Sequence, residues 1–151
     1  MIKVSSFLVA VIVLVLVAGV FVTTRTDVNP ITSSSVSGLA TLRTMAQQSV
    51  PYEVALTNGK PTLLEFYADW CNACQWMAPS LNKLHNKHSN VNFVMINVDD
   101  VQFQEQVQQY GVSGLPQITL LQPGGAVEQT LLGNVPERVL VQNLQHLIPE
   151  V

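Results

Sequence analysis

Residues 62–74 of this chain read Thr-Leu-Leu-Glu-Phe-Tyr-Ala-Asp-Trp-Cys-Asn-Ala-Cys. The first seven form an apolar run with a single acid, Glu65, and such a run is typical of a buried strand. The two cysteines that follow, Cys71 and Cys74, are the only two in the chain. We therefore predict a strand that leads into a helix, with Cys71 at the helix N-terminus, where the helix dipole stabilises a thiolate.

The spacing of the two cysteines indicates thiol–disulfide exchange. Thiols one helical turn apart can close into a disulfide and reopen, with Cys71 as the nucleophile and Cys74 as the thiol that resolves the mixed disulfide. The alternative is a static structural disulfide, but a bridge across so short a loop constrains the unfolded chain little. The pattern therefore favours a redox-active pair.

His85 and His88 follow the cysteines and superficially suggest a two-Cys, two-His zinc site. If one helix runs from Cys74 to His85, the two residues lie about 16 Å apart along its axis, which is too far for one ion. The His-x-x-His spacing is also shorter than the usual spacing of zinc ligands. We therefore predict no metal site and no cofactor, and we place both histidines on the surface of a helix end.

Composition limits the classes of function. The net charge is −3 and the Lys and Arg residues are scattered. A nucleic-acid-binding domain needs a basic face, so we predict no nucleic-acid partner. Two cysteines cannot form a scaffold of several disulfides, so the domain must be held together by its own core. The hydrophobic content of 48% is high beside 11% charged residues, and much of it lies at the N-terminus.

The N-terminus carries a predicted membrane anchor, residues 1–22. From Phe7 to Val22 there is no polar side chain, and the run approaches the roughly 20 residues that a bilayer core requires. A cleaved signal peptide is the alternative, although its apolar region is usually shorter and ends in a small-x-small site that is poorly matched here. Lys3 before the run favours a cytoplasmic N-terminus, with the rest of the chain on the far side of the membrane.

The remaining chain divides into a linker and one domain. Residues 23–38 are rich in Ser and Thr and lack an apolar period, so we predict a flexible linker. The predicted domain covers residues 39–151. Its predicted elements are helices at 39–46 and 54–56, a strand at 62–68, a helix after residue 71, a strand at 91–98, a helix at 103–110, strands at 117–121 and 127–132, and a helix at 136–147. This order describes an α/β fold whose sheet has an antiparallel edge.

From about residue 39 to the C-terminus, the chain resembles the thioredoxin superfamily. The matching motifs are residues 66–74 around the cysteines, Pro79 in the following helix, residues 110–116 (Tyr-Gly-Val-Ser-Gly-Leu-Pro) and the late Gly133. The resemblance implies a thioredoxin fold, with a central mixed sheet flanked by helices. With its N-terminal apolar run, the whole chain also resembles the membrane-anchored thioredoxin-like proteins of photosynthetic membranes, the TxlA type.

The resemblance to the TxlA type implies a function. It implies a protein-disulfide reductase that acts on client proteins with disulfides or Cys-x-x-Cys pairs, on the periplasmic or thylakoid-lumen side of the membrane. It also implies a role in cytochrome or membrane-complex assembly, with a transmembrane thiol carrier as the electron donor. Two alternatives stay open. One is a disulfide oxidase or isomerase, and the other is a tethered assembly or binding factor whose cysteines are redox-idle.

Glu65 matches the buried acid of thioredoxins, and the resemblance implies that it accepts the proton of Cys74. A carboxylate is seldom buried without a reason, and the alternative is a strand-end acid that reaches solvent. Two departures from the family pattern bear on the redox chemistry. Asn72-Ala73 stands between the cysteines in place of the usual Gly-Pro. Met95 stands where a lysine often neighbours the acid, and without that cation Glu65 should be harder to ionise.

The resemblance also implies a client-binding groove. It implies a cis peptide bond between Leu115 and Pro116, and the exposed backbone of Leu115 would pair with an extended client segment. Gly114 and Gly133 would keep this groove open, although ordinary turn geometry also explains both glycines. Trp70 would cover the disulfide and contact the client, or else pack as a core aromatic.

Overall fold

A four-stranded sheet with helices packed on both faces organises the chain. The computed structural model describes residues 30–148, so the predicted anchor and residues 23–29 of the predicted linker lie outside the described residues. Within residues 30–148, no helix has both the length and the apolar character that crossing a bilayer requires. The described elements are α1 (Pro30–Gln47), α2 (Tyr52–Thr57), β1 (Thr62–Tyr67), α3 (Asn72–Lys87), β2 (Asn92–Asn97), a 3₁₀ turn (Val101–Phe103), α4 (Gln104–Gln109), β3 (Gln117–Leu121), β4 (Val127–Leu132) and α5 (Glu137–Leu147).

β1 is a central strand because it is apolar on both faces. All six of its residues are buried. It pairs in parallel with β2 on one side and antiparallel with β3 on the other, and β3 pairs antiparallel with β4, so the strand order is β2-β1-β3-β4. A near-continuous apolar run is what a strand covered on both faces needs. The predicted α/β fold, with a mixed sheet flanked by helices, is therefore confirmed.

The pleat of β1 divides the core into two clusters. Leu63 and Tyr67 belong to the cluster on one face, where α1, α3 and α5 pack, and this cluster also contains both cysteines. Leu64 and Phe66 belong to the cluster on the other face, where residues of α2 and α4 pack. Because alternate residues of a strand point to opposite faces, Glu65 points to the face of the first cluster. We call this first cluster the dithiol-side core.

α1 begins earlier than predicted. It starts at Pro30 rather than near Leu39, so residues 30–38 of the predicted linker are helical. The stretch lacks an apolar period, but Gly38 packs directly on α3: a Cβ at this position would overlap the backbone carbonyl of Gln75. This approach of two helices is a tertiary contact, which an argument from periodicity cannot detect. The division into anchor, linker and domain stays a prediction.

Candidate active site

The two cysteines form a disulfide at the start of α3. The Cys71 and Cys74 sulfurs are bonded, with 5.3 Å between the Cα atoms. Cys71 is the N-cap residue of this 16-residue helix, and its sulfur accepts a hydrogen bond from the backbone N–H of Cys74 at 3.1 Å. The predicted placement of Cys71 at a helix N-terminus is therefore confirmed. A thiolate at this position faces the positive end of the helix dipole.

The two cysteines differ in their exposure to solvent. Cys71 is 6% exposed, whereas Cys74 is fully buried at 0%. Both residues are buried, and the less completely buried one is at the helix end, which is consistent with the assignment of Cys71 as nucleophile. Cys74 lies one turn inward, where it is closed to solvent and bonded to the Cys71 sulfur.

Glu65 is a buried acid without a partner. Its exposed fraction is 0%, and both carboxyl oxygens lack a hydrogen-bond partner among the described residues. Its register neighbours on the adjoining strands are Met95 and Ile118, so neither strand offers a charge there. Burial raises the pKa of Glu65 from 4.5 to about 8. The alternative of a strand-end acid that reaches solvent is wrong, because the residue is completely buried.

Tyr67 shares the face of Glu65 and was not singled out by the sequence. Burial, followed by the charges of Asp69 and Glu65, raises the pKa of the Tyr67 hydroxyl to about 12. Tyr67 therefore stays protonated at neutral pH, and Glu65 is the group on this part of β1 that can exchange a proton there.

The predicted groove residues are partly assembled by the fold. The peptide bond between Leu115 and Pro116 is cis, as predicted. Leu115 packs against the dithiol-side core, and the carbonyl oxygen of Pro116 accepts the N–H of Gly133 at 2.8 Å. Gly133 has a φ of 77°, a conformation that favours glycine. A Cβ at Gly114 or at Gly133 would meet no atom within 4 Å, so open space adjoins both glycines.

Two tryptophans close in sequence to the cysteines are exposed. Trp70, directly before Cys71, is 67% exposed, and its indole N–H donates to the Asp99 carboxylate at 2.8 Å. The alternative of a core aromatic is therefore wrong for Trp70. Trp76 on α3 is 60% exposed. Tryptophan is enriched at protein–protein interfaces relative to the rest of the protein surface.

Arg43 was missed by sequence reasoning. Its Nε and Nη2 atoms both donate to one carboxylate oxygen of Asp69, at 3.0 and 2.8 Å. The backbone carbonyl of Asp69 in turn accepts the side-chain N–H of Gln75 at 2.6 Å. Arg43 and Asp69 are 26 residues apart in sequence. No local pattern could have paired them.

The histidines considered for zinc lie at the far end of the same helix. α3 is continuous from Asn72 to Lys87, so about 16 Å of helix separates Cys74 from His85. The His85 ring packs on Phe93, with 5.0 Å between ring centroids. In the part of the chain that the structure describes, no group of three or more His, Cys, Asp or Glu side chains could hold a metal ion.

Comparison with known proteins places these features in a family. The sequence profile described as Thioredoxin matches residues 42–146. A thiol:disulfide interchange protein TxlA homolog from Synechocystis sp. is 38% identical over 147 residues, covering 97% of this chain and 77% of the relative. The chloroplastic thioredoxin-like protein HCF164 of Arabidopsis thaliana is 36% identical over 140 residues, covering 92% of this chain. The chain spans only 50% of the length of that HCF164 relative.

Solved structures agree with the sequence relatives. A mutant thioredoxin from Halobacterium salinarum superposes with a TM-score of 0.58 at 26% identity, covering 68% of this chain and 89% of the other. A thioredoxin from Nicotiana alata gives a TM-score of 0.56 at 26% identity, covering 63% and 79%. The chain therefore belongs to the thioredoxin family, with Cys71 and Cys74 as its Cys-x-x-Cys pair.

Proposed function

We propose that this chain is a membrane-tethered protein-disulfide reductase that acts on client proteins on the periplasmic or thylakoid-lumen side of its membrane. The observation that carries the proposal is the position of Cys71. Its sulfur caps α3, accepts the N–H of Cys74 and is bonded to the Cys74 sulfur. A reduced pair in this position can deliver two electrons to a client disulfide.

The proposed reaction has two exchange steps. The Cys71 thiolate attacks one sulfur of the client disulfide, so a Cys71–client bond forms and the other client sulfur leaves as a thiolate that takes up a proton. Cys74 then loses its proton and attacks the Cys71 sulfur, which releases the first client sulfur as a second thiol. The client gains two electrons and two protons, and the Cys71–Cys74 disulfide is the oxidised product.

Glu65 is our candidate for the acceptor of the Cys74 proton. Burial raises its pKa to about 8, so at pH 7 about one Glu65 in ten is ionised and able to accept a proton. The ionised fraction grows as the pH rises towards the pKa. We therefore expect the release of mixed disulfides to accelerate with pH over this range.

Clients are proposed to bind across the segment that precedes β3. An extended client segment would pair with the exposed backbone of Leu115 beside Pro116. The open space at Gly114 and Gly133 supports close approach of that segment. The Trp70 side chain is exposed and donates a hydrogen bond to Asp99. It would contact client side chains that lie next to the client's disulfide.

The direction of electron flow and the location rest on the resemblance to the TxlA type. The relatives are named as a thiol:disulfide interchange protein and as a chloroplastic thioredoxin-like protein, and the apolar run of residues 7–22 supports a tether. A transmembrane thiol carrier would restore the reduced pair by donating two electrons from its own dithiol. Cytochromes and assembling membrane complexes are the proposed client class.

An insulin reduction assay tests the proposal. The full chain, with dithiothreitol as the source of electrons, should accelerate insulin reduction, and Cys71→Ser should abolish this activity. Cys74→Ser should instead accumulate mixed disulfides with clients in membrane extracts, which disappear on addition of a thiol. Equal activity of the wild type and Cys71→Ser would support a redox-idle assembly factor and reject the reductase.

The reduction potential of the Cys71–Cys74 couple separates a reductase from an oxidase. A potential near that of thioredoxin, about −270 mV, supports the proposal, whereas one near that of strong periplasmic oxidants, about −120 mV, reverses the direction. Protease protection in intact vesicles tests the location. Degradation of the domain from the cytoplasmic face would reject the proposed side of the membrane.

A further inference from the structure

α1 packs on the part of the fold that carries the dithiol. Gly38 approaches α3 so closely that any side chain would overlap the carbonyl of Gln75, the residue after Cys74. Leu42 and Met45 are 0% and 2% exposed, and both belong to the dithiol-side core together with the two cysteines. Most of α1 precedes residue 42, where the match to the thioredoxin profile begins. α1 thus begins outside the family match, and it packs against α3, the helix that carries Cys74.

The turn between β1 and α3 is held at successive residues. Arg43 of α1 donates two hydrogen bonds to the Asp69 carboxylate, and the Gln75 side chain of α3 donates one to the Asp69 backbone carbonyl. The next residue, Trp70, is held through its indole N–H by Asp99. Because Asp69 and Trp70 immediately precede Cys71, these contacts restrain the turn that leads to the nucleophile.

The charges of Arg43 and Asp69 also affect how readily Cys71 forms a thiolate. Asp69 places a carboxylate two residues before Cys71, and a nearby negative charge disfavours a thiolate. Arg43 neutralises that carboxylate through a fork in which both donors share one oxygen. The pair is largely solvent-exposed, with side-chain exposures of 60% and 39%, so its direct contribution to folding stability is small.

We propose that α1 is a positioning element for the dithiol and that Arg43 is its positioning residue, which holds Asp69 and thereby keeps Cys71 in its reactive, thiolate-favouring place. The inference rests on the proposed function of Cys71 as the nucleophile. It assigns no contact between Arg43 and the client. Arg43 acts on the sulfur through Asp69, by holding the turn and by offsetting the negative charge of that carboxylate.

The test uses the full chain, reduced, and measures the rate of Cys71 alkylation by iodoacetamide as a function of pH. Arg43→Met should shift the alkylation profile to higher pH and lower the rate at neutral pH by about twofold to fivefold, the range that an exposed charge pair supports. Arg43→Lys should recover part of the rate, because it restores the charge but not the fork. The double variant Arg43→Met with Asp69→Asn should recover it as well, because the uncompensated carboxylate is gone.

Lys83→Met is the matched control. Lys83 pairs with Glu137 at 2.7 Å, with side-chain exposures of 53% and 34%, which is close to the length and exposure of the Arg43–Asp69 pair. Lys83 lies on the same α3, further along the helix from the cysteines. Removing it should leave the alkylation profile unchanged, so a change confined to Arg43→Met would not reflect a general loss of surface charge.

The outcomes separate this inference from the proposed function. Identical alkylation profiles for the wild type, Arg43→Met and Lys83→Met would overturn the positioning role, whether or not insulin is reduced. A wild type that does not reduce insulin would instead reject the reductase, and alkylation, which needs no client, would still report on Arg43. Because Arg43 is exposed, its variant should unfold at the same urea concentration as the wild type. A shifted alkylation profile with unchanged unfolding therefore supports positioning.

Discussion

Glu65 makes the stability of the folded domain depend on pH, and its burial sets the direction. Its pKa rises from 4.5 to about 8 on folding, so between these values the folded protein keeps a proton that the unfolded chain has released. The free energy of unfolding must then fall as the pH rises across this window. The stabilisation is fully present below the unfolded pKa and is lost as the pH passes through the folded pKa.

The size of the effect follows from the size of the shift. One pKa unit corresponds to about 1.4 kcal/mol, so the loss across the whole window is on the order of 5 kcal/mol, of which about 3 kcal/mol has occurred by pH 7. No hydrogen bond within residues 30–148 offsets the cost of ionising either carboxyl oxygen. For a domain whose total stability is about 5–15 kcal/mol, this single side chain has a large influence.

Urea unfolding of the oxidised chain, at several pH values between about 5 and 8, measures this effect. Glu65→Gln keeps the shape of the side chain but cannot ionise. The free energy of unfolding of Glu65→Gln, relative to the wild type, should therefore increase by about 1.4 kcal/mol for each pH unit from about pH 5 to 7, and by less as the pH approaches 8. Glu105→Gln, at an exposed position on α4, should show a constant difference. A constant difference for Glu65→Gln as well would refute the raised pKa and remove the basis for a proton-accepting role.

Further predictions concern exchange kinetics and packing. Glu65→Gln should flatten the pH dependence of mixed-disulfide release, measured by rapid mixing and acid quench; an unchanged pH profile would contradict the assigned role. Leu42→Ala should lower the free energy of unfolding by about 2–5 kcal/mol, because it opens a cavity in the dithiol-side core, whereas Leu39→Ala, at a partly exposed position of α1, should cost much less. Gly133→Ala should cost about 1–2 kcal/mol, since its φ of 77° strains an L-residue; Gly114→Ala is the control in urea unfolding, and an equal cost would contradict this reasoning.

The secondary structure of this chain was largely predictable, because its signals are local. β3 and β4 have the bounds predicted for two strands joined at the intervening Pro-Gly-Gly. The helix that begins after Cys71 was predictable for the same reason, because the apolar strand before it and the helical spacing of apolar residues after it are both local signals. The cis bond before Pro116 was predicted only through the family resemblance, because cis forms are about 5–6% of such bonds.

The start of α1 was not predictable, and neither was the network around the nucleophile. Residues 30–38 contain no apolar period, and the contact of Gly38 that accompanies the helix comes from α3. The partners of Asp69 and Trp70 are Arg43 and Asp99, 26 and 29 residues away in sequence. Periodicity and capping rules describe neighbours along the chain, whereas these contacts exist only after the chain has folded.

Glu65 shows where the two kinds of information meet. The sequence alone places Glu65 in an apolar strand, and the alternation of side chains along a strand puts it on the same face as Leu63 and Tyr67. Whether that face opens to water or is sealed could not be known before α1, α3 and α5 were packed on it. The pKa of a carboxyl depends on the atoms and water around it, and those surroundings are created by packing between distant segments.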